Sequence, residues 1–488
     1  MFDIKIINGT ILDGSGKLRF RADVGINGDK ITAVGNLADA EAEKTIDATG
    51  KFVSPGFIDF HTHSDLSLVY DPFARSRIYT GVTTDVIGNC GIGVAPVREE
   101  RKKELIQYLG TRIIGTIPAP LELHWNTVQE YFDYLDSHKP AVNVVAYVAQ
   151  GAIRIDEMGF SDAAPTAEQM DHMKAELRKA MEAGCVGMST GLVYLPGAYT
   201  SKEELAELSK EMVPYNGFYV THIRSEGDDE MEAIDEAIYI AKTAGVPLHV
   251  SHLKIMGKHN FGKIDQVFAK LDAAEKDGLD VRFDCYPYTA GMSSLGVLLP
   301  TWAFEGGVAP MLERIKVPEN RARIIREMEE GLPGWNNFYK MSGGWDAITI
   351  ASVMTEQNKY IEGMNIADIA KERGEDPYDT FFRLLEEEKG KIQFITFTQG
   401  EEDTDKVVTH PKTCIGSDSM TFSHEGIMSQ GKPHPRAFGT MGRIFSYYVK
   451  EKHMLTFEDA VRKITHLPAT YLGIDATRGL IKEGYFAD

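Results

Sequence analysis

The chain has 488 residues, 43% of them hydrophobic, enough to bury a substantial core without a disulfide or a structural metal. Its 52 basic and 72 acidic side chains leave a net charge of −20. An acidic body of that size repels phosphate backbones and anionic lipid, which argues against nucleic-acid and membrane partners. Residues 1–54 predict short strands, with turns at Asn8-Gly9, Asp13-Gly14 and Asn27-Gly28, and open the chain as part of a small β domain. After Pro55-Gly56, apolar strands alternate with amphipathic helices. The predicted strands are 57–61, 84–89, 142–148, 185–189, 218–222, 248–252, 281–286 and 413–417, with helices over 167–183, 202–213, 229–244 and 263–276. This alternation predicts an α/β fold, a (β/α)8 barrel over 55–470, with a doubly wound sheet as its structural rival. The long stretch between the seventh and eighth strands holds an expected insertion, a small lid over about 292–345, and then a helical region near 365–387. Residues 471–488 return to a glycine-punctuated β texture that should pair with 1–54.

The four cysteines, Cys90, Cys185, Cys285 and Cys414, form no C-x-x-C pair. The start, Met1-Phe2-Asp3-Ile4-Lys5, lacks the basic and apolar runs of a signal peptide, and no apolar run approaches the roughly 20 residues that span a bilayer. The expected location is the reducing cytoplasm.

Of 14 histidines, four stand where a predicted strand gives way to a loop. His61 and His63 end the first strand, and because strand side chains alternate they point the same way and can reach one metal. His222 ends the fifth strand and His252 the sixth. By the same parity, Arg224 shares the side of His222 and Lys254 that of His252, if each strand runs that far. His249 has the opposite parity and should face the helices in a structural role. Cys90 closes the second strand among Gly88, Gly91 and Gly93, and Asp418 follows the eighth. Taken singly, a free cysteine is commonly a small buried apolar residue, and an aspartate after a strand commonly caps a helix. Together these residues fall at the ends of strands one, two, five, six and eight, which a barrel gathers on one face. Imidazole, thiolate and carboxylate around an open position suit zinc acting on water. Asp418 then serves as general base and acid, and metal-assisted hydrolysis is the chemistry expected.

With those residues in view, the chain resembles the amidohydrolase superfamily and, within it, the D-aminoacylase (N-acyl-D-amino-acid deacylase) family. The resemblance runs from Pro55-Gly56-Phe57-Ile58-Asp59-Phe60-His61-Thr62-His63-Ser64-Asp65 through Gly88-Asn89-Cys90-Gly91 and the His222 and His252 strand ends. It continues in Asp284-Cys285-Tyr286-Pro287-Tyr288, Ile415-Gly416-Ser417-Asp418 and His434-Pro435-Arg436-Ala437-Phe438-Gly439. It implies a barrel with a small β-sandwich built from both termini. It implies zinc held by Cys90, His222 and His252, and a weaker second site at His61 and His63 with Cys90 as bridge. Many relatives bridge two metals with a carboxylated lysine on the fourth strand; Cys185 to Leu192 contains no lysine, so the resemblance gives that role to the thiolate. The substrate α-carboxylate is assigned to Arg436, helped by Lys254 and Tyr286. Arg224 is a further candidate, unless an ion pair with Glu226 or another acid occupies it. Met292, Ser293, Ser294 and Leu295 are expected to line the side-chain pocket, and since none is basic, a neutral or apolar D-residue is expected. The closing Gly479–Asp488 segment matches the family's last motif and stops where relatives continue, which implies a longer natural chain.

The reading is therefore a cytoplasmic zinc hydrolase of N-acyl-D-amino acids, with homo-oligomerisation left open. One alternative is hydrolysis of another amide on the same metal site, either a cyclic amide or a dipeptide with a D-residue. A second, of a different class, is a non-catalytic relative that keeps the barrel.

Overall fold

The computed structural model describes residues 1–112 and 122–488. Eight parallel strands follow one another in chain order: Phe57–Asp59, Val82–Ile87, Asn143–Ala146 resumed at Val148–Ala149, Gly187–Gly191, Phe218–His222, Leu248–Val250, Val281–Cys285 and Thr413–Ile415. Neighbours pair in sequence, with Ile58 opposite Thr84, Val86 opposite Val145, Met188 opposite Tyr219 and Asp284 opposite Cys414. The ring closes where the Phe60 N–H donates to the Ile415 carbonyl at 3.3 Å and Thr62 bridges Ser419 in parallel. Ile58, Phe60, Val86, Tyr147, Phe218, Val220 and Cys414 pack together inside it. A larger cluster fills the layer between the strands and the outer helices.

The helices form where local signals agree. In Ala167–Glu182, the Thr166 hydroxyl accepts from the Gln169 N–H, and the Gln169 side chain accepts from the Thr166 N–H. That reciprocal pair satisfies two donors the first turn cannot satisfy itself. Met173, Leu177, Ala180 and Met181 then fall on one face and are buried. Among the described residues, no helix is long and apolar enough to cross a membrane.

The insertion is larger than the 292–345 segment expected as a lid. Gly291–Ser294, Ile348–Ser352 and Gln393–Thr396 form an antiparallel sheet in which the last of the three lies in the middle. Its own core includes Leu298, Ile350, Phe381, Phe382, Leu385 and Phe394. The central strand comes last in the sequence, after the helices Ile366–Arg373 and Pro377–Glu387, so local texture around 292–345 does not reveal it.

At the start of the chain, Phe2–Ile7, Asp23–Asn27, Lys30–Gly35 and Ala42–Asp47 form one sheet, and Thr10–Ile11, Phe20–Arg21 and Phe52–Val53 a second. The far end of the chain closes this unit. The Ile31 N–H donates to the Tyr485 carbonyl at 2.9 Å, the Ile481 N–H to that of Asp13 at 3.0 Å, and Ile11, Val24, Ile31 and Ile481 share a core. Gly14, at φ 89°, sits where an added Cβ would lie 2.3 Å from the Gly479 carbonyl oxygen. Gly14→Ala therefore combines backbone strain with a clash against main chain, about 1–3 kcal/mol together. Its melting temperature in differential scanning calorimetry should fall by about 1–3 °C; an unchanged midpoint would refute this account of the junction.

Candidate metal centre

The barrel strand ends and the loops that follow them bring His61, His63, Cys90, His222, His252 and Asp418 to one end of the barrel. Cys90 Sγ lies 3.3 Å from His61 Nε2 and 3.3 Å from His252 Nε2. Asp418 Oδ1 lies 3.1 Å from His63 Nε2 and 3.7 Å from His61 Nε2. Three overlapping sets each have their ligand atoms within 4.8 Å of one another: His61–His63–Cys90, Cys90–His222–His252 and His61–His252–Asp418. Bonds of about 2.0–2.3 Å from one ion reach across such spacings. Both ring nitrogens of His222 and Nδ1 of His63 are buried with no hydrogen-bond partner. Leaving them so is unfavourable, and an ion among these donors removes that penalty. The nitrogen, sulfur and carboxylate set fits zinc, with the Cys90 thiolate common to two of the groups.

The backbone is strained at this end. Cys90, His252 and Asp418 have φ of 55°, 35° and 48°, in the left-handed region that non-glycine residues seldom occupy. Gly416 lets the eighth strand pass close to the first, because a Cβ there would stand 2.4 Å from the His61 Cβ. The loop carrying Asp418 is braced from below. Arg77 binds Asp85 at 3.0 Å and the Ser419 carbonyl at 2.6 Å, and the Ser417 N–H donates to Asp59 at 2.7 Å.

Two buried carboxylates orient the imidazoles. Asp284 lies 3.1 Å from His61 Nδ1 and 2.8 Å from His249 Nε2, and accepts the His252 N–H at 3.0 Å. Burial opposes its charge, but the two imidazoles outweigh burial and hold it far below the usual carboxylate range. A His61 that donates from Nδ1 leaves its Nε2 lone pair for the Cys90 side, the usual arrangement of a metal-binding histidine. Glu226 stands nearby, 3.0 Å from His252 Nδ1 and in a very short ion pair with Lys254, whose ammonium lies 2.7 Å from the same ring nitrogen. Burial also disfavours the charged forms of Cys90 and Asp418. His61 and His252 nevertheless pull the thiol well below its ordinary value, and Arg436 with His63 does the same for the carboxyl.

A cavity opens onto this cluster, lined by Lys254, Tyr286 and Arg436 on one side and by Met256, Met292 and Phe394 among the apolar groups. Arg436 Nη1 donates to Asp418 Oδ2 at 2.7 Å, and its Nε is buried without a partner. It starts the helix Arg436–Arg443, where its N–H donates to His434 Nδ1 at 3.0 Å. Burial and the adjacent guanidinium push His434 down to about 3, so the ring stays neutral and can accept that bond. Gln399 Nε2 donates to the Tyr286 hydroxyl at 2.8 Å, leaving the phenol's own proton available. Of the four residues expected to line the side-chain pocket, Met292 and Ser293 do so, while Ser294 and Leu295 are buried away from it.

Two expectations are corrected. Arg224 does not line this cavity: its guanidinium is taken by Glu236 at 2.9 and 3.0 Å and by the carbonyls of Ala198 and Thr200 at 2.8 Å each. The fifth strand ends at His222, so parity does not extend two residues further. His249 does not face the helices; it packs against Phe60 inside the barrel, with ring centroids 4.7 Å apart, and binds Asp284. The sixth strand stops at Val250 and the chain turns sharply through His252, so counting parity from His252 inverts the answer. The sequence reading also missed Glu226 and Asp284 as orienting groups. Their signal is weak: an acid four residues past His222, and another on the seventh strand just before Tyr286.

The profile of the amidohydrolase family matches residues 44–296. A D-aminoacylase of Alcaligenes xylosoxydans xylosoxydans is 32% identical over 494 aligned positions, which cover 100% of this chain and 87% of that one. An N-acyl-D-glutamate deacylase of the same organism is 32% identical, covering 100% of this chain and 86% of its own. Among solved structures, the N-acyl-D-glutamate deacylase of Bordetella bronchiseptica, complexed with zinc and a phosphonate inhibitor, superposes with a TM-score of 0.81 at 32% identity, covering 100% and 89% of the two chains.

The carboxylate layer can be tested by itself. Asp284→Asn keeps the shape but weakens the hold on His61, His249 and the His252 backbone, and zinc affinity measured by chelator competition should fall about 10- to 100-fold. Affinity equal to that of the unaltered protein would remove Asp284 from the metal centre's support.

Proposed function

The chain belongs to the amidohydrolase family, and on that footing we propose that it is a zinc-dependent hydrolase of the amide bond in N-acyl-D-amino acids, releasing a carboxylate and a free D-amino acid. The observation that carries this reading is the adjacency of two chemistries in one cavity. A cluster of imidazole, thiolate and carboxylate ligands adjoins a guanidinium, an ammonium and a phenol in a protein of net charge −20. Local positive charge in so acidic a body suits a substrate with a carboxylate next to the bond that breaks.

Cys90, His222 and His252 would hold one zinc, and His61 and His63 would join Cys90 at a weaker second position, with Asp418 also within reach of the ions. Zinc bound among these groups supplies a Lewis acid for a carbonyl oxygen and lowers the pKa of water. Asp418, kept ionised by Arg436 and His63, accepts the proton of the attacking water and delivers it to the departing nitrogen. Arg436 grips the α-carboxylate from the cavity wall, the Tyr286 hydroxyl donates a further hydrogen bond, and Lys254 adds charge beside them. Burial keeps Tyr286 protonated and therefore a donor, against the opposing pull of Lys254 and Arg436. A carboxylate held there and an acyl carbon at the ligand cluster fix two points of the substrate, and a third contact at the α-carbon substituent then sets the handedness. For that substituent the cavity offers Met292, Phe394 and Met256, none of them basic, which favours a neutral or apolar D-residue.

Zinc-loaded protein given matched N-acetyl-D- and N-acetyl-L-amino acids should release amine from the D series alone, with apolar and neutral residues ranked above D-glutamate. A best rate on N-acetyl-D-glutamate would overturn the side-chain assignment, and turnover of L substrates the handedness. In the same assay Asp418→Ala should lower kcat by at least about 100-fold. Arg436→Met should cripple the linear substrate; a cyclic amide without a free α-carboxylate would not respond to it, so retained activity in Arg436→Met favours that alternative.

A further inference from the structure

The deacylase reading leaves a second cavity of the same end unassigned. It lies between the loop that follows the fourth barrel strand and the insertion, and its walls include Leu192, Leu195, Val297, Leu299, Phe304 and Trp335. Phe338 lines both cavities, and Tyr194, which lines the metal cavity, stands in the chain between Val193 and Leu195, which line the second. The two spaces therefore share a partition built from one or two aromatic side chains. Their capacities are alike, about 120 Å³ for the second and about 100 Å³ for the first, so the second has room for a fragment comparable to that held beside the metal ligands.

Its position relative to the ligand cluster gives it a direction. The carboxylate-gripping groups come from beyond the sixth, seventh and eighth strands, at Lys254, Tyr286 and Arg436. The partition stands on the other side of the cluster, where the Tyr194 ring meets the His222 ring edge-on with centroids 5.1 Å apart. In an N-acyl amino acid the acyl substituent leaves the carbonyl carbon away from the α-carboxylate. A substrate anchored at Arg436 with its carbonyl carbon at the ligand cluster thus sends its acyl group toward Tyr194 and Phe338. The lining of the second cavity limits the kind of acyl group it can hold. Among the described residues its one charged lining group is Arg224, and that guanidinium is neutralised by Glu236 and bonded to the carbonyls of Ala198 and Thr200. It offers no free charge to an acyl carboxylate, and although Tyr199, Thr301 and Asn336 add polar groups to its lining, the leucine, valine and aromatic walls favour hydrocarbon.

We propose that this second cavity is an acyl-chain subsite, and that the enzyme's preferred substrates carry extended apolar acyl groups that reach it past Phe338, not acetyl. The proposal rests on the deacylase reading and specifies the acyl half of its substrate. Each methylene moved out of water into such a space favours binding by about threefold to fourfold. Binding energy gained away from the reacting bond raises kcat/KM as far as the transition state shares it.

The test uses the zinc-loaded full chain and one D-amino acid bearing acetyl, butyryl, hexanoyl or octanoyl groups. kcat/KM should climb along the series, by at least about tenfold from acetyl to octanoyl. Val297→Trp and Leu299→Trp, made separately, fill the cavity and should bring the octanoyl-to-acetyl ratio back toward one, with the acetyl rate of each variant reporting that it has folded. Acetyl hydrolysis with no gain on lengthening overturns the subsite and leaves the deacylase reading intact. A gain that persists in both tryptophan variants also overturns it, because the chain then lies elsewhere. Hydrolysis of no member at any length overturns the deacylase reading and the subsite with it.

Discussion

One buried carboxylate organises the candidate metal centre. Asp284, on the seventh strand, ties His61 just past the first strand, His249 on the sixth and the His252 backbone just beyond it. A charge so deeply buried is stable only while these partners remain, and the partners keep their orientation only while the charge remains. This mutual dependence fixes the face that His61 turns toward Cys90, and with it the spacing of the sulfur and nitrogen ligands. Glu226 stands beside His252 in a related way, with Lys254 as its counter-charge. The first layer of ligands is thereby held by a second layer of acids.

The same constraint accounts for the strained backbone. Left-handed conformations at Cys90, His252 and Asp418 are unfavourable in isolation and persist because the surrounding hydrogen bonds over-determine them. Gly416 contributes by subtraction, since any side chain there would collide with His61. Arg77 contributes by tying Asp59, Asp85 and the loop after Asp418 into one buried network. Positive charge is concentrated inside this acidic protein at Arg436 and Lys254, and each is balanced by a specific carboxylate. The insertion then supplies what the barrel lacks. Its antiparallel sheet brings Met292 and Phe394 to the cavity, and the segments 296–304 and 334–338 outside that sheet line the second cavity beside it.

Much of this was legible in the linear chain. The alternation of apolar strands with amphipathic helices determined the barrel, and six residues of metal-binding type at strand ends marked one face of it as the chemistry-bearing one. Local patterns suffice there because a strand end lies next to its own loop in sequence. Strand parity, however, holds only while the strand is straight. The turns after Val250 and His222 therefore left His249 and Arg224 beyond the reach of counting, and only the folded chain decided where each points. Asp284, Glu226 and the second cavity belong wholly to tertiary structure. Their meaning lies in contacts between strands, or between loops far apart in the chain, and no local period records those contacts.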